Sequence, residues 1–242
     1  MKEPTRYLVL TALFFGVLLS GLVLIRQQTG QQGALDDSFS MSNTQPKMAK
    51  LQRPYQVPID EQKDTHFRED GKLVHQGDFT YQAAGQRIEL IGQAKVGQTV
   101  KTGQVRYQLK RVQYYHNVAR TTAALEQAKG MFKHASLPKD FNTLLLVYDI
   151  KNTSDRKIKT DGIAAATLPN GQVMSPIKGL YNDPDLHTMT LASGKTKQTY
   201  VLLLVPDWSL QQLQPLKVDL ARTYQSNGQQ MGKQPFQVTL TF

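Results

Sequence analysis

The sequence predicts an all-β fold, an antiparallel β-sandwich with one inserted helix. Short segments in which apolar and polar residues alternate recur over the C-terminal two thirds of the chain, as in half-buried strands. Two further segments, residues 143–152 and 198–205, are apolar on both faces, which is typical of central strands. A single segment of helical periodicity interrupts the series. This pattern favours antiparallel sheets over the regular alternation of strands and helices in a parallel fold.

The first 26 residues predict a membrane anchor. Residues 7–25 form a run of 19 residues without charge, and a helix of that length would span about 28 Å, close to the hydrocarbon thickness of a bilayer. Lys2 and Arg6 precede the run, and Arg26 follows it. The run is longer than the apolar part of a signal peptide, and no small-residue cleavage site follows it. We therefore expect residues 1–26 to be a retained single-pass anchor in the cell membrane, with the C-terminal domain extracellular. Cleavage and secretion is the alternative.

Residues 27–72 have the composition of a disordered stalk. The segment is rich in Gln, Ser, Asp and Lys, and it contains Pro46, Pro54 and Pro58 without a sustained apolar period. Such a segment buries too little apolar surface to offset the entropy lost on ordering. We therefore predict a polar linker over residues 27–72 and an extracellular domain over residues 73–242.

Within that domain, residues 105–110 alternate apolar and polar side chains and predict a strand. The phase of the alternation slips at residues 111–112, which indicates a β-bulge. Residues 217–224 and 236–242 predict two more strands. The loop between them contains an Asn-Gly pair at residues 227–228, which favours a tight turn.

The interrupting helix is predicted over residues 118–135, where alanines and larger apolar residues recur at helical spacing. Asn117 or Thr121 provides an N-terminal cap. One interpretation is an inserted helix that lies on the edge of the sandwich. The other is an amphipathic element that contacts a partner or a membrane surface. In the second case the contact residues are Leu125, Met131 and Phe132.

Several short motifs between residues 92 and 224 occur in a characteristic combination. An apolar strand is followed by Asn-Thr-Ser at residues 152–154, and Leu-Ala-Ser-Gly-Lys-Thr at residues 191–196 precedes a strand that ends in Val-Pro at residues 205–206. In this combination the chain resembles the immunoglobulin-like domains of unknown function in secreted and lipoprotein-anchored proteins of Gram-positive bacteria. The resemblance implies an immunoglobulin-like sandwich outside the membrane, and it implies no reaction. The lipidated cysteine common in such proteins is absent, and the helical insert is longer than usual.

The chain is strongly basic. Its formal net charge is +10, and 26 basic against 18 acidic residues follow residue 26. A basic surface outside a membrane attracts anionic wall polymers and lipid headgroups, although a lysine-rich surface that only aids solubility is the alternative. No nucleic-acid-reading motif accompanies the charge, so nucleic acid is not expected as a partner. The predicted contacts for an anionic polymer are Lys101, Arg106, Lys110, Arg111, Lys151, Arg156, Lys157, Lys159, Lys195 and Lys197.

The sequence offers little catalytic chemistry. The absence of cysteine excludes a disulfide scaffold, a thiol nucleophile and a cysteine-ligated zinc site. Asp183, Asp185 and His187 bring two carboxylates and an imidazole together, but no further ligands for a tight metal site accompany them. We therefore expect no catalytic residue, no metal and no cofactor, and predict a non-enzymatic binding module that contacts an anionic wall polymer or an envelope protein. The alternatives are an accessory subunit of a membrane protein complex and an envelope hydrolase that uses the carboxylates near Asp183.

Overall fold

The computed structural model describes residues 54–231 and 236–242. These residues form three antiparallel sheets with little helix, which confirms the predicted all-β class. The predicted anchor at residues 1–26 and the predicted stalk up to residue 53 lie outside the described residues. Within the two described ranges, no helix has the combination of length and apolar character needed to cross a membrane.

The elements follow one another along the described residues in an order that places most strands beside their sequence neighbours. They are α1 (Ile59–Gln62), β1 (Phe79–Tyr81), β2 (Gln86–Thr102), β3 (Val105–Ala119), α2 (Thr122–Phe132), β4 (Asp140–Asn152), β5 (Ile158–Thr160), β6 (Ile163–Thr167), β7 (Val173–Met174), β8 (Leu180–Asn182), α3 (Asp185–Thr188), β9 (Thr196–Val205), β10 (Leu216–Leu220), β11 (Thr223–Gln225), β12 (Gln230–Met231) and β13 (Phe236–Leu240).

The largest sheet has six strands in the order β1-β2-β3-β4-β9-β8, so β4 and β9 are internal, as predicted. A four-stranded sheet has the order β13-β10-β6-β7, and a three-stranded sheet has the order β12-β11-β5. The strand predicted over residues 217–224 is two strands, β10 and β11, which belong to different sheets. The Asn-Gly turn joins β11 to β12, where the N–H of Gln225 donates to the carbonyl of Gln229 over 2.8 Å.

The main core lies between the six-stranded and four-stranded sheets. Leu146 and Tyr148 of β4 are fully buried there, together with Ile163 of β6 and Val218 of β10. The two sheets are also joined by Asn182 of β8, whose side chain accepts from the N–H of Ile163 over 3.1 Å and donates to its carbonyl over 2.7 Å. A buried amide satisfied on both sides in this way fixes the position of one sheet on the other.

A second core covers part of the outer face of the six-stranded sheet. Leu145 and Val147 of β4 point into it, and Phe132 of α2 covers them together with Leu73. Burial on both faces explains why β4 carries apolar residues at successive positions. A helix is present where one was predicted, but it spans Thr122–Phe132, because residues 118 and 119 still belong to β3. Thr121 is its N-cap, and its side chain accepts from the N–H of Ala124 over 3.0 Å. It packs on a face of the sheet and not on the sandwich edge.

Residues 54–78 are folded against the six-stranded sheet, although the polar linker was predicted to reach residue 72. The N–H of Tyr55 donates to the carbonyl of Ala83 over 2.8 Å, and the rings of Tyr55 and Tyr81 stack with centroids 5.2 Å apart. Tyr81 also donates to Glu61 over 2.5 Å. Burial and this bond to a carboxylate raise the pKa of Tyr81 to about 12. The folded region therefore extends at least to residue 54.

An ion pair inside this N-terminal segment fixes its second half. The buried carboxylate of Asp78 lies 2.7 Å from Arg68 Nη2 and accepts from the N–H groups of Val74 and His75 over 3.0 and 2.8 Å. Burial alone would raise the pKa of Asp78, but the two N–H bonds and Arg68 outweigh it and lower the pKa below the usual 3.8. Asp78 therefore holds the segment in place as a carboxylate.

Strand β3 contains the predicted bulge, one residue earlier than expected. Leu109 pairs with Tyr148 of β4, and Arg111 pairs with Val147, so Lys110 is the extra residue. Because a bulge shifts the phase of alternation by one, Lys110 and Arg111 both reach the outer face of the sheet. Without the shift, Arg111 would point into the main core.

Candidate anion-binding surface

Three basic residues form a row across neighbouring strands of the six-stranded sheet. Lys101 of β2 pairs with Arg106 of β3, and Arg106 pairs in turn with Lys151 of β4. Directly paired residues of antiparallel strands point to the same face, with Cβ atoms about 5 Å apart. Since Val105 and Ile150 beside them face the main core, this row lies on the outer face. All three basic side chains are exposed.

The face continues along the strands beyond this first row. The next pairs bring Thr99, Gln108, Asp149 and Gln198 into a second row of hydroxyl, amide and carboxylate groups. The Asp149 carboxylate lies 3.1 Å from Lys110 Nζ, so its charge is compensated by the bulged lysine.

A third row contains two more cations. Lys95 of β2 pairs with Arg111 of β3, and Arg111 pairs in turn with Val147, a residue of the second core. We call the three rows together the basic face. It consists of Lys101, Arg106 and Lys151, then Thr99, Gln108, Lys110, Asp149 and Gln198, then Lys95 and Arg111.

The loops at the adjoining end of the sheet carry further cations and are held by one buried amide. Asn152 donates to the carbonyls of Arg156 and Leu191 over 2.6 and 3.0 Å, and its Oδ1 accepts from the N–H and hydroxyl of Ser154 over 2.9 and 2.7 Å. The N–H of Asn152 donates to the carbonyl of Lys195 over 2.9 Å. The backbones of Arg156 and Lys195 are thereby held near the end of β4.

The remaining predicted cations are more scattered. Lys157 is exposed just before β5, and Lys159 is exposed within β5, in the three-stranded sheet. Lys197 pairs with Ile150 and so faces the opposite side from Lys151, where its Nζ lies 3.5 Å from Asp185. Lys195 lies beside the end of β4 near the basic face, whereas the Arg156 guanidinium donates to Gln225 of β11 over 3.0 Å. Lys159 in β5 and Lys197 on the opposite face lie apart from the basic face.

The sequence predicted Lys110 of the second row but not Lys95, and not the other second-row residues, Thr99, Gln108, Asp149 and Gln198. Lys95 stands alone in the sequence between Ala94 and Val96, so clustering of charges along the chain does not reveal it. The only signal that could have found it is the register of the β2–β3 hairpin, which depends on two irregularities, at residues 90–92 and 95–98.

The acidic loop at Asp183 is not assembled as a metal site. The buried Asp183 carboxylate accepts from the N–H of Asp185 over 3.0 Å and from the hydroxyl of Thr199 over 2.9 Å. The His187 imidazole faces a different carboxylate, with its Nδ1 atom 3.5 Å from Asp161 Oδ1. Over the part of the chain that the structure describes, no three His, Asp or Glu side chains are grouped to hold a metal ion.

The tyrosines around Asp183 are held neutral. Burial, together with the charge of Asp183, raises the pKa of Tyr181 and of Tyr200. Their hydroxyls therefore stay protonated beyond the usual tyrosine pKa of 10.

Of the residues predicted to form a partner-binding helix face, the largest is inside the molecule. Phe132 is 3% exposed and packs edge-on against Phe141, with ring centroids 6.2 Å apart. Met131 is partly buried against the same core, and Leu125 is partly exposed. The expectation that Phe132 contacts a partner is wrong for this conformation, because the helix uses it to close the second core.

Comparison with known proteins adds likeness of structure only. No protein-family model and no curated protein matches the chain. Among solved structures, the chain is similar to a functionally unknown protein from Listeria monocytogenes, with 9% identity, a TM-score of 0.42, and coverage of 64% of this chain and 86% of that one. It is also similar to the yjhA protein from Bacillus subtilis, with 16% identity, a TM-score of 0.33, and coverage of 52% and 80%. The resemblance to immunoglobulin-like domains is one of sequence motifs, and no matching family model supports it.

Proposed function

We propose that this domain is a non-enzymatic binding module of the bacterial cell envelope, and that its basic face holds an anionic wall polymer. The observation that carries the proposal is the cross-strand row of Lys101, Arg106 and Lys151. The three side chains are exposed on a sheet face, and their backbone positions are fixed by strand pairing. A rigid platform loses little conformational entropy when a flexible polymer settles on it.

The location of the module is part of the same proposal. The uncharged run at residues 7–25 is the basis for a single-pass membrane anchor, and the resemblance to secreted Gram-positive domains is the basis for an extracellular position. Outside a membrane, anionic polymers of the wall are the abundant partners for a surface of this charge. Binding of this kind weakens with salt, because ions screen charges beyond about 8 Å at physiological ionic strength.

The test is retention of the full-length protein on isolated cell walls, measured over a salt series, with and without extraction of the wall polymers. The variant K101E/R106E/K151E reverses the first row. With about 1 kcal/mol for each cation at an anionic surface, loss of three contacts weakens binding about a hundredfold.

The matched control is K63E/K139E/K217E, which changes the net charge equally. These three lysines are exposed, and none belongs to the basic face. We expect the control to keep most of the binding. Equal loss in both variants would reduce the effect to net charge and overturn the proposed site. Absence of retention at low salt would overturn polymer binding and favour an envelope protein as the partner.

A further inference from the structure

We infer that the basic face selects a polymer in which phosphodiesters alternate with uncharged, hydroxylated units, and that Asp149 is the residue that rejects uniformly charged polyanions. This inference rests on the proposed function and names the chemical class of its ligand. It comes from the order of the rows along the strands, which is cationic, neutral and polar, then cationic again.

The spacing of the cationic rows sets the first requirement. From Arg106 to Arg111 the chain of β3 runs for five residues, or up to about 16 Å of extended strand. A ligand that lies along β3 therefore meets cations at two places, up to about 16 Å apart along the strand. Phosphodiesters joined by a polyol or a sugar provide charges with such a separation.

The middle row sets the second requirement. Gln108 and Gln198 are exposed amides and Thr99 is an exposed hydroxyl, so this row can donate to and accept from hydroxyl groups. The cation of this row, Lys110, is neutralised by Asp149 at 3.1 Å. An uncharged hydroxylated unit therefore fits the middle row.

A uniformly charged polyanion meets a different surface. Its central charges would lie over the Asp149 carboxylate, with no uncompensated cation in the same row. Repulsion of this kind discriminates against a wrong ligand without adding affinity for the right one. Asp149 is thus a specificity-determining residue, and its contribution appears in the ratio of two affinities.

The experiment uses the full-length protein and two soluble probes at equal phosphate concentration, a ribitol-phosphate teichoic acid and inorganic polyphosphate. We expect the wild-type protein to bind the teichoic acid more tightly. D149N leaves Lys110 uncompensated, so affinity for polyphosphate should rise about fivefold, the value of one close charge contact in water. Affinity for the teichoic acid should change less than twofold.

Two controls separate charge from folding. The double variant K110Q/D149N also removes the Asp149 carboxylate but leaves no uncompensated lysine in the row, so its affinity for polyphosphate should rise less than that of D149N. D219N removes an aspartate of β10, which accepts from Gln237 over 3.0 Å in the other sheet, and should leave both affinities unchanged. K95E tests the third row independently, with a several-fold loss of teichoic acid binding expected.

The outcomes distinguish the two proposals. Equal affinity of the wild-type protein for both probes, with both lost in K101E/R106E/K151E, overturns the selectivity and leaves the binding module standing. An unchanged ratio in D149N also overturns the role of Asp149. Binding to phosphatidylglycerol vesicles that is indifferent to K95E would identify a membrane surface as the ligand and overturn the polymer. Failure to bind any probe overturns both proposals.

Discussion

Replacing Asn152 with alanine removes the amide that organises the loops beside the basic face. Asn152 is fully buried and its side chain makes four hydrogen bonds within 3.0 Å. At about 1 kcal/mol net for each bond, the upper value for the loss is about 4 kcal/mol.

Two of the abandoned partners have other bonds available, which lowers that value. The carbonyl of Leu191 still accepts from the N–H of Ile158 over 3.0 Å. The Ser154 hydroxyl, which donates to Asn152 in the wild type, lies 3.0 Å from the carbonyl of Arg156 and can donate its one proton there instead. The N–H of Ser154 is left without its acceptor in a buried position. We therefore expect the free energy of unfolding to fall by about 3 kcal/mol.

The assay is equilibrium denaturation in urea, with thermal unfolding as a second measurement. For a domain of this size, a loss of about 3 kcal/mol lowers the midpoint temperature by about 6–12 °C. The matched control is Asn170→Ala, in which an exposed side chain loses a single bond of 3.0 Å from the N–H of Gln172. If Asn152→Ala costs no more than Asn170→Ala, the loops are held by something other than this amide and the reasoning fails.

Three more predictions follow from single positions. Gly162 has φ +83°, and a Cβ there would lie 2.6 Å from the Tyr148 hydroxyl. In urea denaturation, Gly162→Ala should therefore lower the free energy of unfolding by about 2–4 kcal/mol. The control Gly171→Ala, where φ is +84° but a Cβ would meet no atom within 4 Å, should lower it by only about 1 kcal/mol. The lowered pKa of Asp78 means that its stabilisation is complete above pH 3.8 and is lost as the pH falls further; the stability difference between wild type and Asp78→Asn must shrink there, and a pH-independent difference would contradict this. The difference in phenolate absorbance between wild type and Tyr81→Phe should titrate with a midpoint near pH 12. A midpoint near pH 10 would contradict the burial of the Tyr81 hydroxyl. The stabilisation from Tyr81 should be lost as the pH rises from 10 to 12.

The parts of the fold that were predictable are those in which burial alone dictates the sequence. Residues 143–152 are apolar at successive positions because β4 has a core on each side. The bulge of β3 was also visible, one residue away from its observed position, since a bulge changes the face on which each following residue lies. The positions of strands and of the bulge are local properties, and the alternation of apolar and polar residues in the sequence indicates them.

The parts that were not predictable depend on contacts between distant segments. Residues 54–72 have the composition of a linker, yet a few residues such as Tyr55 and Arg68 secure them through stacking and an ion pair. Lys95 joins the basic face only through a hairpin register set by irregularities in β2. The amphipathic pattern of α2 was read correctly as a helix, but the pattern does not tell whether Phe132 faces a partner or a second core of the same chain.

The covering of the six-stranded sheet by residues 54–78 also determines where the chain can be cut. Removal of this segment, as in a fragment that begins at residue 79, would uncover the apolar side chains beneath Leu73, among them Leu90 and Tyr115. A fragment of this kind would expose an apolar sheet surface, and we expect it to aggregate at the concentrations needed for binding studies. A fragment that keeps these contacts must therefore include residues 54–78, most of which lie inside the predicted polar linker.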